Sequence, residues 1–171
     1  MDGLSRLNEL APSEAREALL RCCGAARWAD AMAARRPFPA RDALLAAADE
    51  VWWGLGEGDW REAFGHHPRI GDKEALRARF PDTRRWAAGE QAGVEGAPEE
   101  VREALAEGNR AYEERFGHIF IVCATGKTAG EMLDLLRARL PNPPARELRR
   151  AAEEQAKITR LRLEKLLDGT G

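Results

Sequence analysis

Three histidines are the candidates for proton transfer in this 171-residue chain: His66, His67 and His118. Imidazole titrates near neutral pH, so a well-placed histidine can take up or release a proton during a reaction. His67 immediately precedes Pro68, which disfavours helical geometry at His67 and predicts a turn there. Such a turn can aim a side chain into a cavity, but a histidine in a loop can equally be structural or simply exposed. Spacing alone leaves both interpretations open.

Arg162 occupies an unusual position on the last predicted helix. Residues at intervals of three and four form an inward stripe on that helix. The stripe consists of Leu148, Ala151, Gln155, Ile158, Arg162 and Leu166. Arg162 can snorkel from this stripe to solvent or pair with a glutamate of a neighbouring helix. It can also serve as a carboxylate clamp, because its guanidinium is a planar fork of donors.

Glu90 and Gln91 lie in an irregular segment, 81–96, that is rich in glycine, alanine and charge. Together they present an acceptor and an amide, which suit a polar heterocycle, although exposed pairs of this kind are common. A metal site built from the histidines and Cys123 is conceivable, but the paired spacing typical of zinc ligands is missing. The sequence contains neither a phosphate-binding loop nor a dinucleotide fingerprint.

The composition is that of an ordinary soluble protein, with 44% hydrophobic and 33% charged residues. A formal net charge of -2 gives no overall positive field for nucleic acid or anionic lipid. No apolar run approaches the length of a membrane span, and the first ten residues lack the features of a secretory signal. We therefore expect a cytoplasmic protein without nucleic-acid or membrane partners. Cys22, Cys23 and Cys123 fit no disulfide framework, and we expect buried free thiols.

Helical periodicity dominates the elements that must position these residues. It predicts a single compact domain over residues 1–171 with about eight to nine short and medium helices. The predicted helices cover 13–23, 25–36, 41–56, 60–64, 73–80, 98–116, 128–140 and 145–167, with Ser13 as the first cap and the tryptophans as core anchors. The run 119–124 is the one convincing extended piece, either a buried strand or a stretched connection.

Short motifs along nearly the whole chain form an ordered set. The motifs are Cys23-Gly24, Arg27-Trp28, Arg36-Pro37-Phe38, His67-Pro68-Arg69-Ile70-Gly71, Glu90-Gln91-Ala92-Gly93, Asn109, Tyr112, Arg115-Phe116-Gly117, Phe120 to Ala124, Arg139-Leu140, Asn142, Glu147, Gln155, Ile158 and Arg162-Leu163. Each motif alone is weak, but the set resembles the family of 2-oxo-4-hydroxy-4-carboxy-5-ureidoimidazoline (OHCU) decarboxylases.

The resemblance implies an all-α fold and the decarboxylation of OHCU, a small molecule formed by urate oxidation, to (S)-allantoin and CO2. It implies a homodimer without metal or organic cofactor, functionally coupled to urate oxidase and hydroxyisourate hydrolase. The imidazoline ring can itself accept the electrons that CO2 leaves behind, so pyridoxal and thiamine are not required. A non-enzymatic helical interaction module would explain the composition equally well, and a metal-dependent hydrolase is a third hypothesis.

The resemblance also implies roles for particular residues. His67 matches the catalytic histidine and would act as general acid, although it could first remove the substrate's hydroxyl proton. The substrate-binding residues would be Pro68, Ala87, Glu90, Gln91, Phe120, Ile121, Val122, Cys123, Ala124 and Arg162. Pro68 would act through its carbonyl, and the N–H groups from Ile121 to Cys123 would stabilise an oxyanion. Ala87 stands where we expect a serine, so one hydroxyl contact is absent or replaced by water.

Overall fold

The computed structural model describes residues 1–70, 92–94 and 96–169. Within these ranges the chain forms eight α-helices and one 3-10 turn, Ala92–Val94, and contains no β-strand, which confirms the all-α prediction. The helices are α1 (Gly3–Glu9), α2 (Pro12–Cys22), α3 (Ala26–Ala34), α4 (Arg41–Trp53), α5 (Glu57–Phe64), α6 (Glu99–Phe116), α7 (Ala129–Arg139) and α8 (Pro144–Asp168). In the part of the chain described, no helix has the length and apolar character needed to cross a membrane. The predicted helix 73–80 lies outside the described residues.

Local sequence signals explain several helix ends. Gly117 ends α6 in the left-handed conformation, with φ of 78°, and its N–H donates to the Glu113 carbonyl. Thr128 caps α7 through a reciprocal pair of hydrogen bonds with Glu131. The prediction that Ser13 caps a helix was wrong: α2 begins at Pro12 and contains Ser13. Proline suits the first helical position because its fixed φ is already helical and it has no N–H to satisfy.

One compact unit comprises residues 1–63 and the chain from Gln155 onward. Trp28 and Trp52 are buried in its core, as the sequence predicts, and the indole N–H of Trp28 donates to the Ala48 carbonyl at 3.1 Å. The side chain of Arg36 caps the C-terminal end of α1. Its Nη1 donates to the carbonyls of Leu7 and Leu10, both at 2.8 Å. A charged donor on these carbonyls satisfies groups that a helix end leaves without intrahelical partners.

The second unit comprises residues 64–154. Its core is formed mainly by α6, α7 and the connection between them, with Leu105, Tyr112, Phe116, Phe120, Val122, Met132 and Leu136 all buried. Gly108 lets α6 approach α7 closely, since a Cβ at this position would lie 2.8 Å from Leu136 Cδ2. Residues 119–124, which the sequence predicts to be extended, contribute Phe120 and Val122 to this core.

Residues 119–124 form neither helix nor strand, so the stretched connection is the correct alternative. Phe120 to Ala124 are each 8% exposed or less. Buried backbone N–H and C=O groups need partners, and a non-helical segment cannot supply its own. Charged side chains supply them here: Arg139 Nη1 donates to the Ile121 carbonyl at 2.7 Å, and Glu154 Oε1 accepts the Cys123 N–H at 2.9 Å.

Arg139 is itself held by a buried carboxylate. Its Nε donates to Glu147 Oε1 at 2.7 Å, and Glu147 is fully buried. The Tyr112 hydroxyl donates to the same oxygen at 2.5 Å, and Asn142 Nδ2 donates to Glu147 Oε2 at 3.0 Å. The guanidinium lies over the Phe120 ring at 4.5 Å. Both charges of the buried pair are thus hydrogen-bonded, which is the condition under which such a pair is tolerated in a core.

Alkaline titration of Tyr112 tests this cluster. Burial, together with the hydrogen bond to Glu147, raises the pKa of Tyr112 well above its ordinary value of 10.0. Tyr112 therefore stays protonated in the folded chain, and its contribution to stability is complete below pH 10 and falls as the pH rises further. The chain contains one tyrosine, so tyrosinate absorbance reports this group alone. We expect the folded chain to show no tyrosinate at a pH where the urea-unfolded chain titrates fully. Titration near pH 10 with unchanged helical circular dichroism would contradict the assignment.

Candidate active site

His67 lies on a turn, as its sequence context predicts. It follows α5, and its N–H donates to the Phe64 carbonyl at 3.1 Å. His67 is half-buried, whereas Pro68 directly after it is buried. A half-buried imidazole keeps access to a small molecule while its backbone is fixed, so the position suits proton transfer.

Helix α6 holds the residues that follow His67. Arg69 Nε donates to both carboxylate oxygens of Glu113, at 2.9 and 3.0 Å. Asn109 Nδ2, one turn earlier on α6, donates to the Ile70 carbonyl at 3.4 Å. A single charged N–H shared between two carboxylate oxygens makes a charge-assisted contact, which is stronger than a hydrogen bond between neutral groups. The turn that carries His67 is therefore anchored to a rigid element.

The other two histidines suit proton transfer less well. His66 is exposed. His118 is 9% exposed and packs among the rings of Phe64, Tyr112 and Phe116, with centroid distances of 5.2, 5.5 and 6.2 Å. Its Nδ1 lies 3.0 Å from the Ile119 carbonyl oxygen. These contacts indicate a packing role for His118.

Arg162 is buried, with 3% of its surface exposed, so the snorkelling hypothesis is wrong. Gln155 and Ile158 of the same stripe are buried as well, which confirms the inward face of α8. Arg162 Nη1 donates to the Arg21 carbonyl at 3.2 Å, in the last turn of α2. Carbonyls at a helix C-terminus carry partial negative charge, which stabilises a guanidinium there. The carboxylate clamp remains a hypothesis.

The three cysteines are buried free thiols, as predicted. Burial raises the pKa of Cys23 to about 12, and hydrogen bonds with Ala25 and Thr159, together with the nearby positive charge of Arg162, oppose that shift only in part. A protonated thiol is a poor nucleophile, so Cys23 does not suit covalent catalysis near neutral pH. Among the described residues, no group of three or more His, Cys, Asp or Glu side chains lies close enough to hold a metal ion.

The predicted backbone donors of the connection are not equivalent. The N–H of Cys123 already donates to the Glu154 carboxylate. The carbonyl of the same residue accepts a hydrogen bond from Lys127 Nζ at 2.7 Å. Sequence reasoning missed both charged residues. Glu154 lies three positions after Ala151, on the buried face of α8, and a carboxylate on such a face is a signal that it has a partner.

Ala87, Glu90 and Gln91 lie outside the described residues. Two residues beyond Gln91, the chain passes directly against the turn at Lys127. A Cβ on Gly93 would lie 2.0 Å from the Lys127 carbonyl oxygen, so only glycine fits. Of the predicted site residues described, His67, Pro68 and Phe120 to Ala124 belong to the second unit, whereas Arg162 belongs to the first.

Comparison with known proteins gives concordant matches. A sequence profile described as OHCU decarboxylase matches residues 8–164. The chain is 38% identical over 146 residues to the uric acid degradation bifunctional protein TTL of Arabidopsis thaliana, covering 85% of this chain and 45% of that protein. It is 44% identical over 59 residues to the 2-oxo-4-hydroxy-4-carboxy-5-ureidoimidazoline decarboxylase of Amia calva, covering 34% of each. The matched part spans less than half the length of both curated relatives.

A solved structure agrees with these sequence matches. The crystal structure of an OHCU decarboxylase in the presence of (S)-allantoin superposes with a TM-score of 0.73 at 35% identity. The superposition covers 87% of this chain and 96% of that one. Since the family profile covers most of the sequence and a solved member shares the fold, this chain belongs to the OHCU decarboxylase family.

Proposed function

We propose that this chain is a carboxy-lyase that converts OHCU to (S)-allantoin and CO2 in urate breakdown, with no cofactor and with His67 as general acid. The observation that carries the proposal is the half-buried His67, set on a turn anchored to α6, at the position where the family motif has its histidine. The names of the relatives agree with it, since one is a uric acid degradation protein and another an OHCU decarboxylase.

The chemistry places three demands on the protein. Breaking the bond to the carboxylate releases CO2 and leaves an electron pair, which the imidazoline ring accepts as an enolate-like system. The protein must bind the carboxylate, stabilise negative charge on the ring oxygen, and deliver a proton to one face of the carbon that becomes the stereocentre. The proton comes from the imidazolium of His67 and ends on that carbon. One-sided delivery yields a single enantiomer of allantoin.

Other residues take the binding tasks in this proposal. Arg162 binds the substrate carboxylate or a carbonyl, and the connection 120–124 offers backbone N–H groups to the oxyanion. Pro68 contributes its carbonyl, while Glu90 and Gln91 hold the N–H groups of the ureido arm and the ring. Ala87 leaves one hydroxyl contact absent or replaced by water. The family resemblance supports these roles for Ala87, Glu90 and Gln91.

The proposal extends to the cellular setting. We expect a homodimer of single-domain chains in the cytoplasm, receiving its unstable substrate from the reactions of urate oxidase and hydroxyisourate hydrolase. An unstable substrate decomposes to racemic product when the enzyme is slow, so the three activities should be present together. Stereochemistry is therefore the most direct readout of this enzyme.

Replacing His67 tests the proton donor. Allantoin is generated from urate with urate oxidase and hydroxyisourate hydrolase, and circular dichroism follows its optical activity. We expect rapid growth of one enantiomer with the wild-type chain. With His67→Asn the rate should fall by a factor of about 100 or more, because general acid catalysis contributes factors of this order. His66→Asn, on the same turn but exposed, is the matched control and should keep the rate.

The two possible failures of this experiment differ in meaning. Slow racemic product with the wild-type chain would exclude the decarboxylase activity and favour the interaction module. Normal stereospecific turnover by His67→Asn would leave the activity in place and remove His67 as the donor.

Replacing Arg162 tests the carboxylate clamp. We expect Arg162→Gln to raise KM by about 10-fold or more, because a hydrogen bond to a charged group contributes roughly 1.5–3 kcal/mol. Glutamine is too short to reach the Arg21 carbonyl, so the loss of that one hydrogen bond should lower stability by roughly 0.5–1.5 kcal/mol, a modest fall in melting temperature. The exposed Arg160 lies on the same helix, and Arg160→Gln should leave KM unchanged. An unchanged KM together with a large loss of melting temperature would make Arg162 a structural residue.

A further inference from the structure

The carbonyls of the buried connection face cationic side chains at two alternate residues. Arg139 Nη1 donates to the Ile121 carbonyl and Lys127 Nζ to the Cys123 carbonyl, both at 2.7 Å. Between these two carbonyls, the Cys123 N–H donates a hydrogen bond to Glu154 Oε1. Charged groups therefore occupy the N–H of Cys123 and the carbonyls of Ile121 and Cys123.

Peptide planarity fixes where the neighbouring N–H groups point. The carbonyl of one residue and the N–H of the next belong to one plane and, in a trans peptide, point in opposite directions. The peptides of this connection are trans, since the one cis bond in the described residues precedes Pro37. The Val122 N–H thus points away from Arg139, and the Ala124 N–H points away from Lys127. Neither N–H has an acceptor among the described residues.

Both of these N–H groups are buried and strengthened as donors. Val122 is 5% and Ala124 is 4% exposed. A buried N–H without a partner is costly, which indicates that a ligand atom completes it. A cation on the carbonyl of the same peptide draws electron density away from the N–H, and hydrogen bonds in such chains polarise one another. The effect is larger in a low-dielectric interior than in water.

The two cationic side chains are themselves fixed. Arg139 is held by the buried carboxylate of Glu147. The backbone of Lys127 is fixed, because its N–H donates to the Ala124 carbonyl at 2.9 Å and Gly93 packs against its carbonyl, and its side chain is held by the bond to the Cys123 carbonyl. Fixed charges do not have to reorganise when negative charge develops nearby.

We propose that Arg139 and Lys127 are positioning residues that aim and polarise the N–H groups of Val122 and Ala124 toward an anionic oxygen of the ligand. This inference rests on the proposed function for the identity of that oxygen, the enolate oxygen formed as CO2 leaves. The donors are Val122 and Ala124, and not the Cys123 N–H, which Glu154 occupies. Arg139 and Lys127 act through the peptide and do not touch the substrate.

Lys127 is the better residue for a kinetic test, because removing Arg139 would leave the charge of Glu147 buried and uncompensated. We expect Lys127→Met to lower kcat by about 10-fold with KM nearly unchanged, since the polarisation matters most when charge develops. Lys127→Arg should restore most of kcat. Lys157→Met removes an exposed lysine from α8 and should have no effect. An unchanged kcat in Lys127→Met, or a loss that Lys127→Arg fails to restore, would overturn the role of Lys127.

Amide NMR of the wild-type chain tests the donors without any variant. Adding (S)-allantoin should shift the N–H resonances of Val122 and Ala124 more than those of Ile121 and Cys123. The reverse pattern, or no response in this segment, would overturn the inference. Formation of (S)-allantoin in the coupled assay separately decides the proposed function. Stereospecific product without a response at Val122 and Ala124 would leave the enzyme established and the inference refuted.

Discussion

A buried backbone segment that is neither helical nor paired in a sheet depends on side chains for most of its hydrogen bonds, and the second unit of this protein is built around that constraint. The connection 119–124 crosses the core as an irregular chain between α6 and α7. Arg139, Lys127 and Glu154 bond its backbone at distances of 2.7 to 2.9 Å. Burying these charged side chains carries a desolvation penalty, and the hydrogen-bonded carboxylate of Glu147 offsets that penalty for Arg139. The buried Arg139–Glu147 pair is therefore explained by the backbone that it serves.

The same constraint distinguishes polar side chains that stabilise the fold from those that suit proton transfer. Glu147 accepts hydrogen bonds from Tyr112, Arg139 and Asn142, so its lone pairs are used within the fold. It is consequently a poor candidate for proton transfer, despite its complete burial. His67 differs because it is half-buried, on a turn whose flanking residues carry the anchoring bonds. A catalytic acid needs this combination of fixed backbone and accessible ring.

Local signals in the sequence predict much of this fold. Helical periodicity locates α3, α4, α6, α7 and α8 to within a few residues, and Gly117 and Pro68 mark real boundaries. Helix α1 was missed because seven residues give a weak period; it depends on Asp2, which accepts the Ser5 N–H at 2.8 Å. The contact of Glu154 with Cys123 spans 31 residues, and periodicity carries no information about such a pairing. The family motif included Arg139 and Glu147 but not their pairing.

Helix α6 gives the proposed chemistry a common reference frame. Asn109 and Glu113 are one turn apart and hold the turn that carries His67. Tyr112, between them, binds Glu147 and thereby helps to fix Arg139, which holds the Ile121 carbonyl. Stereospecific protonation requires the acid and the oxyanion donors to keep a constant mutual orientation while charge moves from the carboxylate to the ring. Anchoring both to Asn109, Tyr112 and Glu113, within about one turn of one helix, meets that requirement.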